Sequence, residues 1–272
     1  MKKYIKTTKL ILLALSFVIV SCKSSPEAAG ISEDEINAEA AKAYAEVKAK
    51  SKISTNKEWT AMVNRVAKRI AAASGKPYSW EVVLIDSPDV NAWCMPGGKM
   101  AVYTGIMPVL KTEAALAAVM GHEVAHATLR HGMANYARAK QNNILGAVVG
   151  IGTALAGQLL CETDSCKKLA QLGGVAGGIG VAFFSMKYSR EDESSADQEG
   201  QLLMADAGYE PSESIKLWER MGAAGGGKPP EILSTHPSDE RRSKNLAGWL
   251  PAAQARYNSA PQKFGLGATI VK

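Results

Sequence analysis

The sequence predicts an α+β fold that is mostly α-helical, with a small antiparallel β-sheet beside a central helix. Residues 80–104 contain three short apolar runs separated by turn signals, which is typical of a small sheet. An alanine-rich helical segment follows at once and contains Met-Gly-His-Glu-Val-Ala-His at residues 120–126. Most of the remaining chain shows helical periodicity. The 272 residues, 46% of them apolar, suit one domain with a sizeable core.

Two helices are predicted before the sheet. Ser32-Glu-Asp-Glu35 is a capping-box pattern that opens an alanine-rich helix ending near Lys50. A second helix is predicted over Asn56–Ala73, because apolar residues recur there at the three-to-four spacing of one buried face. Those apolar residues are Trp59, Met62, Val63, Val66 and Ile70.

The sheet is predicted from three consecutive strands. The runs 80–85, 90–94 and 99–104 are apolar or β-branched, and the turn signals Asp86-Ser-Pro-Asp89 and Met95-Pro-Gly-Gly98 separate them. Strands joined by short turns pair antiparallel by default, so an antiparallel sheet is expected.

The central helix carries His122 and His126 four residues apart, so both imidazoles leave one face of the helix. Two nitrogen ligands at this spacing can hold one zinc ion, with Glu123 beside them to act on water. Thr112 is the expected N-cap and Gly132 the expected C-terminal stop. The alternative is an ordinary helix with two surface histidines, but the flanking residues are apolar, and buried polar groups need partners.

The helical pattern continues to about Gln141. Two apolar, glycine-rich stretches follow it. They form a predicted helical hairpin over residues 144–186, interrupted by a loop that contains Cys161 and Cys166. Each stretch has roughly 17–18 residues against about 20 for a membrane span. An insertion that does not span is favoured over a transmembrane hairpin. The cysteine pair predicts a short-loop disulfide, with zinc ligation as the competing interpretation.

The C-terminal part is predicted to contain three helices. A strongly polar helix covers 187–209, a second covers 211–221, and a glycine- and proline-rich loop covers 222–230. The last helix is expected over 238–250 and a C-terminal tail over 251–272, of which residues 259–272 are expected to be loosely ordered.

A third metal ligand is required, because zinc in hydrolases takes three protein ligands and keeps one position open. The pattern HExxHxxGxxH would need Gly at 129 and His at 132, whereas the chain has Leu129 and Gly132. His131 is therefore expected at a helix end or behind a ligand. Glu193 and Asp197 lie on one helical face and are candidates, although an acid-rich segment is also typical of a solvated face.

The N-terminus has the pattern of an export signal. Residues 1–21 combine a basic start with the apolar run Leu10–Val20, and four lysines in the first ten residues supply much of the net charge of +6. No basic patch that would indicate nucleic-acid binding remains. Ser21-Cys22 resembles the bacterial lipobox, which implies a lipid on Cys22 and a tether over 22–30. An ordinary signal peptide with an incidental cysteine is the alternative. Lys23 favours the outer membrane.

Four elements, in order, resemble the gluzincin metallopeptidases that include HtpX, LoiP, BepA and the eukaryotic CAAX prenyl protease. The resemblance spans about residues 31–250, which we take as the metallopeptidase domain. The export signal places the chain nearer to periplasmic lipoproteins such as LoiP and BepA than to HtpX. The matching elements are Asn91–Gly98 with Tyr103-Thr-Gly105, Gly121–His126 with His131-Gly132, Ser189–Asp197 with Gly200, and Thr235-His-Pro237 with Arg242.

The resemblance implies one zinc ion per chain, with Glu193 as its third ligand and Asp197 orienting a ligand histidine. It also implies that His236 approaches the metal, either to stabilise the oxyanion or to occupy the water position in a latent form. Arg242 would support the site, although the neighbouring Arg241 leaves the register open.

The expected function is zinc-dependent hydrolysis of peptide bonds in unfolded or misassembled envelope proteins, with Glu123 as the general base. The strand Lys99–Thr104 is expected to pair with an extended substrate. The expected location is the periplasm, anchored by lipid to the outer membrane, with the outer-membrane assembly machinery as a candidate partner and no role for nucleic acid. Two rivals are a chaperone with a latched site and a membrane-embedded protease that uses 144–186 as spans.

Overall fold

The computed structural model describes residues 32–141, 167, 170–171, 187–223, 232–236 and 240–270. Over these residues the mostly helical α+β fold is confirmed. The export signal, Cys22, the tether, the pair Cys161 and Cys166, and nearly all of the 144–186 hairpin lie outside the described residues. Within the described part of the chain, no helix is both long and apolar enough to cross a membrane.

The first two helices begin and end within a residue of their predicted bounds. Helix α1 covers Glu33–Lys50, and the Ser32 side chain accepts a hydrogen bond from the amide of Glu35. Helix α2 covers Lys57–Ala73, and the Asn56 side chain caps it. Four of the five predicted apolar residues of α2 are buried and Trp59 is half-buried, because their spacing turns these side chains towards one side of the helix.

The sheet is mixed, so the prediction of an antiparallel sheet was wrong in part. Its strands are β1 (Glu81–Ile85), β2 (Ala92–Met95) and β3 (Lys99–Tyr103), in the order β1-β3-β2. Strands β2 and β3 form the expected antiparallel hairpin, whereas β1 pairs parallel to β3. The chain after β1 crosses over the end of β3. This crossing needs glycine at position 105, where a Cβ would lie 2.2 Å from the carbonyl oxygen of Pro88.

A short 3-10 turn (Thr104–Ile106) and helix α3 (Met107–Leu110) lead into helix α4, which covers Glu113–Thr128. Thr112 caps α4 as predicted, accepting from the amide of Ala115 at 3.1 Å. The predicted stop at Gly132 was wrong. The helix ends at Thr128, Arg130 adopts a left-handed conformation with φ of 66°, and helix α5 begins at His131 and ends at Gln141.

Four further helices are given bounds in the described part of the chain: α6 (Arg190–Asp206), α7 (Ser212–Ala223), α8 (Ile232–Thr235) and α9 (Glu240–Ser259). Helix α6 begins with a capping box at Ser189. Helix α9 runs nine residues past its predicted end at Leu250 and contains Pro251.

The C-terminal segment does not form the loosely ordered tail that was expected. The amide of Phe264 donates to the carbonyl of Gly208 at 2.8 Å, and the amide of Glu113 donates to the carbonyl of Ala268 at 3.1 Å. The Arg69 guanidinium lies 3.5 Å from the centre of the Phe264 ring. These contacts tie residues 264–270 to α2, to the start of α4 and to the turn after Asp206, which explains why the segment is ordered.

Apolar residues fill both faces of the sheet. Helices α2 and α4 pack on one face, against Leu84, Met100 and Val102. Helix α1 packs on the other face, against Val83, Ile85, Trp93, Ala101 and Tyr103. Helix α4 therefore lies inside the core, and all but one of its residues are buried.

Helices α4 and α6 touch backbone to backbone at Gly121 and Gly200. A Cβ built on Gly121 would lie 2.7 Å from the carbonyl oxygen of Gly200, and one built on Gly200 would lie 2.7 Å from the amide nitrogen of His122. Real Cβ atoms do not approach backbone so closely, so both positions require glycine. This contact sets the distance between the polar residues on the two helices.

We expect Gly200→Ala to reduce the free energy of unfolding by about 1–3 kcal/mol, because the added methyl group must push α6 away from α4. The cost of the clash therefore outweighs the roughly 1 kcal/mol by which alanine stabilises a helix relative to glycine. Gly248→Ala in α9 is the matched control. Gly248 is exposed and no described atom lies within 4 Å of its Cβ position, so this variant should be neutral or more stable. Urea unfolding that finds the two variants equal would contradict the prediction.

Candidate metal centre

Four buried side chains form a cluster that can hold a metal ion. His122 and His126 come from α4, Glu193 comes from α6, and His236 follows α8. One ligand atom of each residue lies within 4.8 Å of the others. The structure thus brings together both helix histidines, the acid 67 residues further along the chain, and the distal histidine.

The distances within the cluster suit tetrahedral zinc. With zinc–ligand bonds of about 2.0–2.1 Å, the ligand atoms of a tetrahedral site lie roughly 3.3 Å apart. Here His122 Nε2 lies 3.0 Å from His126 Nε2 and 3.2 Å from His236 Nδ1. Oxygens of Glu193 lie 2.9 Å from His236 Nδ1, 3.4 Å from His126 Nε2 and 3.5 Å from His122 Nε2. The donor set and its spacing therefore fit one zinc ion.

Glu193 contributes an oxygen whose hydrogen-bonding capacity is unmet. Its Oε2 has no hydrogen-bond partner among the described residues, although Arg242 Nη1 lies 2.9 Å away in a poorly aligned contact. A buried oxygen that has a charged neighbour but accepts no hydrogen bond can take a metal ion as a further partner. Burial raises the pKa of Glu193, but the neighbouring His236 and His126 outweigh it and hold that pKa far below the usual range. The carboxylate is therefore ionised, as a metal ligand must be.

The Nδ1 side of the His122 ring is held in place by the buried ion pair of Asp197 and Arg242. Asp197 Oδ1 lies 3.0 Å from His122 Nδ1, which leaves Nε2 directed at the cluster. Arg242 donates to both oxygens of Asp197, at 2.7 and 2.6 Å, and its guanidinium lies 3.6 Å from the centre of the Trp218 ring. Asp197 and Arg242 thus occupy the positions expected of residues that orient a ligand. Trp218 gave no signal in the sequence beyond helical periodicity.

Glu123 lies beside the cluster with a free carboxylate oxygen. Its side chain is buried, Oε1 lies 3.5 Å from His236 Nε2, and no described residue forms a hydrogen bond with that oxygen. Burial raises the pKa of Glu123 above its ordinary value, against the opposing effect of His236 and His122. A carboxylate with a raised pKa is suited to accept and release a proton near neutral pH.

The pKa values of His126 and His236 are shifted in opposite directions. Burial holds the pKa of His126 well below its ordinary value, so its ring is neutral and able to ligate. Burial also lowers the pKa of His236, but the carboxylates of Glu193 and Glu123 outweigh it and the net shift is upward.

Two residues of the site were missed or only partly assigned from the sequence. Tyr188 stacks on His126 with ring centres 4.0 Å apart, and its ring centre lies 5.1 Å from that of His236. No motif marks Tyr188, which only precedes the Ser189 cap. His131 lies behind His126, with 2.9 Å between the two Nδ1 atoms.

A helix that carries two ligands and a carboxylate base, packed against a second helix that supplies an acidic ligand, is the arrangement of peptide-cleaving zinc enzymes. The fold and the site together define a zinc metalloprotease. The chain belongs to peptidase family M48, whose profile matches residues 54–250.

Curated relatives lie in mitochondria and in bacteria. The mitochondrial metalloendopeptidase OMA1 of Schizosaccharomyces pombe is 36% identical over 204 residues, which cover 74% of this chain and 56% of that protein. Metalloprotease YcaL of Escherichia coli is 25% identical over 237 residues, covering 85% and 86%. The β-barrel assembly-enhancing protease of Escherichia coli is 28% identical over 186 residues, covering 67% and 37%. The chain spans about half the length of the OMA1 proteins of the two yeasts that it matches.

Proposed function

We propose that the chain is a zinc-dependent endopeptidase of the bacterial cell envelope that cleaves unfolded or misassembled proteins. The observation that carries the proposal is the buried Oε1 of Glu123, which accepts no hydrogen bond from any described residue and lies beside the cluster of three histidines and a glutamate. A structural zinc site has no use for such a group, because burying a carboxylate without a partner is unfavourable.

In the proposed mechanism His122, His126 and Glu193 hold the metal. Zinc there would supply Lewis acidity that activates water and polarises the scissile carbonyl. Glu123 accepts the proton of the attacking water and delivers it to the leaving amine. Asp197 keeps the His122 ring oriented throughout, since it accepts from Nδ1 and is itself held by Arg242.

The substrate is proposed to bind along β2. The sequence prediction gave this role to Lys99–Thr104, but β3 is the central strand and is paired on both sides, so it cannot accept another strand. Strand β2 lies at the edge of the sheet next to α4, and among the described strands only β3 pairs with it. All four of its residues are buried, so a substrate has to displace the groups that cover this edge. Backbone pairing of this kind gives affinity with little sequence preference, which suits unfolded substrates.

The envelope location rests on the N-terminal sequence pattern and on two similar proteins of Escherichia coli. One of these, the β-barrel assembly-enhancing protease, carries the assembly process in its name, so the outer-membrane assembly machinery is the proposed partner. A lipid on Cys22 and a relation to lipoproteins such as LoiP belong to the same proposal. Alkaline extraction of membranes provides the test. A Cys22→Ser variant should be released, whereas retention in the membrane would contradict a lipid anchor as the only attachment.

The activity is tested with the full-length protein in detergent and a permanently unfolded substrate, such as reduced and alkylated lactalbumin. We expect one zinc per chain, cleavage that a chelator abolishes, and recovery when zinc is added back. Cleavage that survives metal removal would refute the metal-dependent mechanism. Stoichiometric zinc without any cleavage would favour a chaperone on the same fold.

His236→Ala is expected to retain zinc and to bind a small hydroxamate at least about tenfold more tightly, which corresponds to about 1.4 kcal/mol. The reason is that His236 Nδ1 lies among the ligand atoms, 3.2 Å from His122 Nε2, and so competes for the fourth position. Inhibition constants of wild type and variant give the comparison. Equal affinities would mean that His236 does not block this position, and would favour its other expected role as an oxyanion donor.

A further inference from the structure

The break between α4 and α5 places His131 against a metal ligand. Arg130 takes φ of 66°, a left-handed conformation that is unfavourable for a residue with a side chain. The chain turns there, and His131 starts the next helix with its ring folded back on His126. The two Nδ1 atoms lie 2.9 Å apart, and the ring centres are 4.9 Å apart at an angle of 73°.

The contact fixes the positions of two protons. If Nε2 of His126 binds the metal, its Nδ1 carries the proton and donates to Nδ1 of His131. His131 must then be neutral and carry its own proton on Nε2. If His131 were doubly protonated, its Nδ1–H would point at the Nδ1–H of His126 with only 2.9 Å between the nitrogens, which is unfavourable.

Helix α6 supplies acceptors on the far side of His131. Ser195 Oγ lies 3.4 Å from His131 Nε2, and Asp192 Oδ1 lies 3.7 Å from it. The Ser195 hydroxyl proton is directed to backbone carbonyls of its own helix at 2.9 and 3.0 Å, so its lone pairs face His131. The other oxygen of Asp192 accepts from the amide of Ser189 in the capping box, which holds the carboxylate in place.

We propose that His131 is a positioning residue that fixes the ring of His126 for zinc. It acts through a hydrogen bond with His126 and a second one with Ser195, and the Asp192 carboxylate lies 3.7 Å from its Nε2. The two ligands of α4 are thus supported differently: His122 by the carboxylate of Asp197, and His126 by a second imidazole. Because α6 also supplies Glu193, the same helix orders both the third ligand and the ring of His126. The inference rests on the proposed role of His126 as a ligand, but it does not depend on proteolysis.

The test measures zinc affinity by competition with a chromophoric chelator, in wild type, His131→Ala, His131→Asn and Leu129→Ala. Loss of a residue that orients a ligand typically costs about 10- to 100-fold in metal affinity, which is the loss we expect for His131→Ala. Asparagine places Oδ1 near the position of the imidazole Nδ1, so it can accept from His126 and should restore most of the affinity. Leu129 is exposed and lies two residues away, so its truncation should leave zinc affinity unchanged.

Two results would overturn the proposal. One is a folded His131→Ala protein that binds zinc like wild type. The other is a folded His131→Asn protein that binds zinc as weakly as His131→Ala, since that result would indicate packing rather than the hydrogen bond.

A measurement on the unaltered zinc-loaded protein covers the case in which the variants do not fold. The chain has only four histidines, so nitrogen-15 spectra of their rings can be assigned. We expect the proton of His131 on Nε2 and that of His126 on Nδ1. A His131 ring that carries its proton on Nδ1 would refute the inference.

Discussion

Glu123→Gln is expected to retain one zinc per chain and to lose peptide cleavage by about 100- to 10,000-fold, the usual contribution of a general acid–base residue. Glutamine has the same shape but cannot accept the proton of water. The carboxylate it replaces is buried, has a raised pKa, and keeps one oxygen free of hydrogen bonds from described residues. Initial rates on an unfolded substrate, measured with the zinc content of the same samples, provide the test.

The control for this variant is Glu219→Gln, which makes the same change at an exposed position on α7. It should behave like wild type in both assays. If Glu123→Gln cleaves as fast as Glu219→Gln, Glu123 is not the base. If Glu123→Gln loses zinc as well as activity, Glu123 contributes to metal binding and the proposed ligand set is wrong.

Arg242→Met is expected to destabilise the protein by about 3–5 kcal/mol, the usual cost of removing one partner of a buried ion pair. Arg242 is 6% exposed and donates to both oxygens of Asp197. Without the guanidinium, Asp197 is left as a buried charge, and the pKa of Asp197, which Arg242 now holds down against burial, should rise. Methionine keeps a similar length and packing against Trp218, so the loss reports the charge.

Arg241→Met is the matched control, because Arg241 lies next to Arg242 in the chain and is exposed. Urea unfolding of the two variants in excess chelator separates stability from metal binding. We expect Arg241→Met to stay within about 0.5 kcal/mol of wild type, as surface substitutions usually do. Comparable losses of stability in both variants would contradict the assignment of Arg242, rather than Arg241, as the arginine that supports the site.

The parts of the fold that follow from local sequence were predicted. Capping residues at Ser32, Asn56 and Thr112 start three helices where expected, because a cap is decided by the residue and the few amides next to it. The two histidines of α4 were placed on one face by their spacing alone. The distal acid could not be placed in the same way, since no local pattern connects Glu193 to a helix 67 residues earlier. Only the resemblance to a known family selected it.

The parts that depend on contacts between distant residues were not predicted. Turn signals between strands do not reveal that β1 and β3 run parallel, because strand order depends on where the connecting loop crosses. The helix break at Arg130 has no glycine or proline to mark it. Residues 264–270 were expected to be loose because they lie near the end of the chain. Their sequence gives no sign of the backbone bonds that join them to Gly208 and Glu113.

The contact between Gly121 and Gly200 has a consequence for how such enzymes diverge. The relative placement of His122 and Glu193 is set by two touching backbones, and the covalent path between them does not determine it. The connecting segment can therefore lengthen, shorten or change in composition without moving the ligands, provided that both glycines persist.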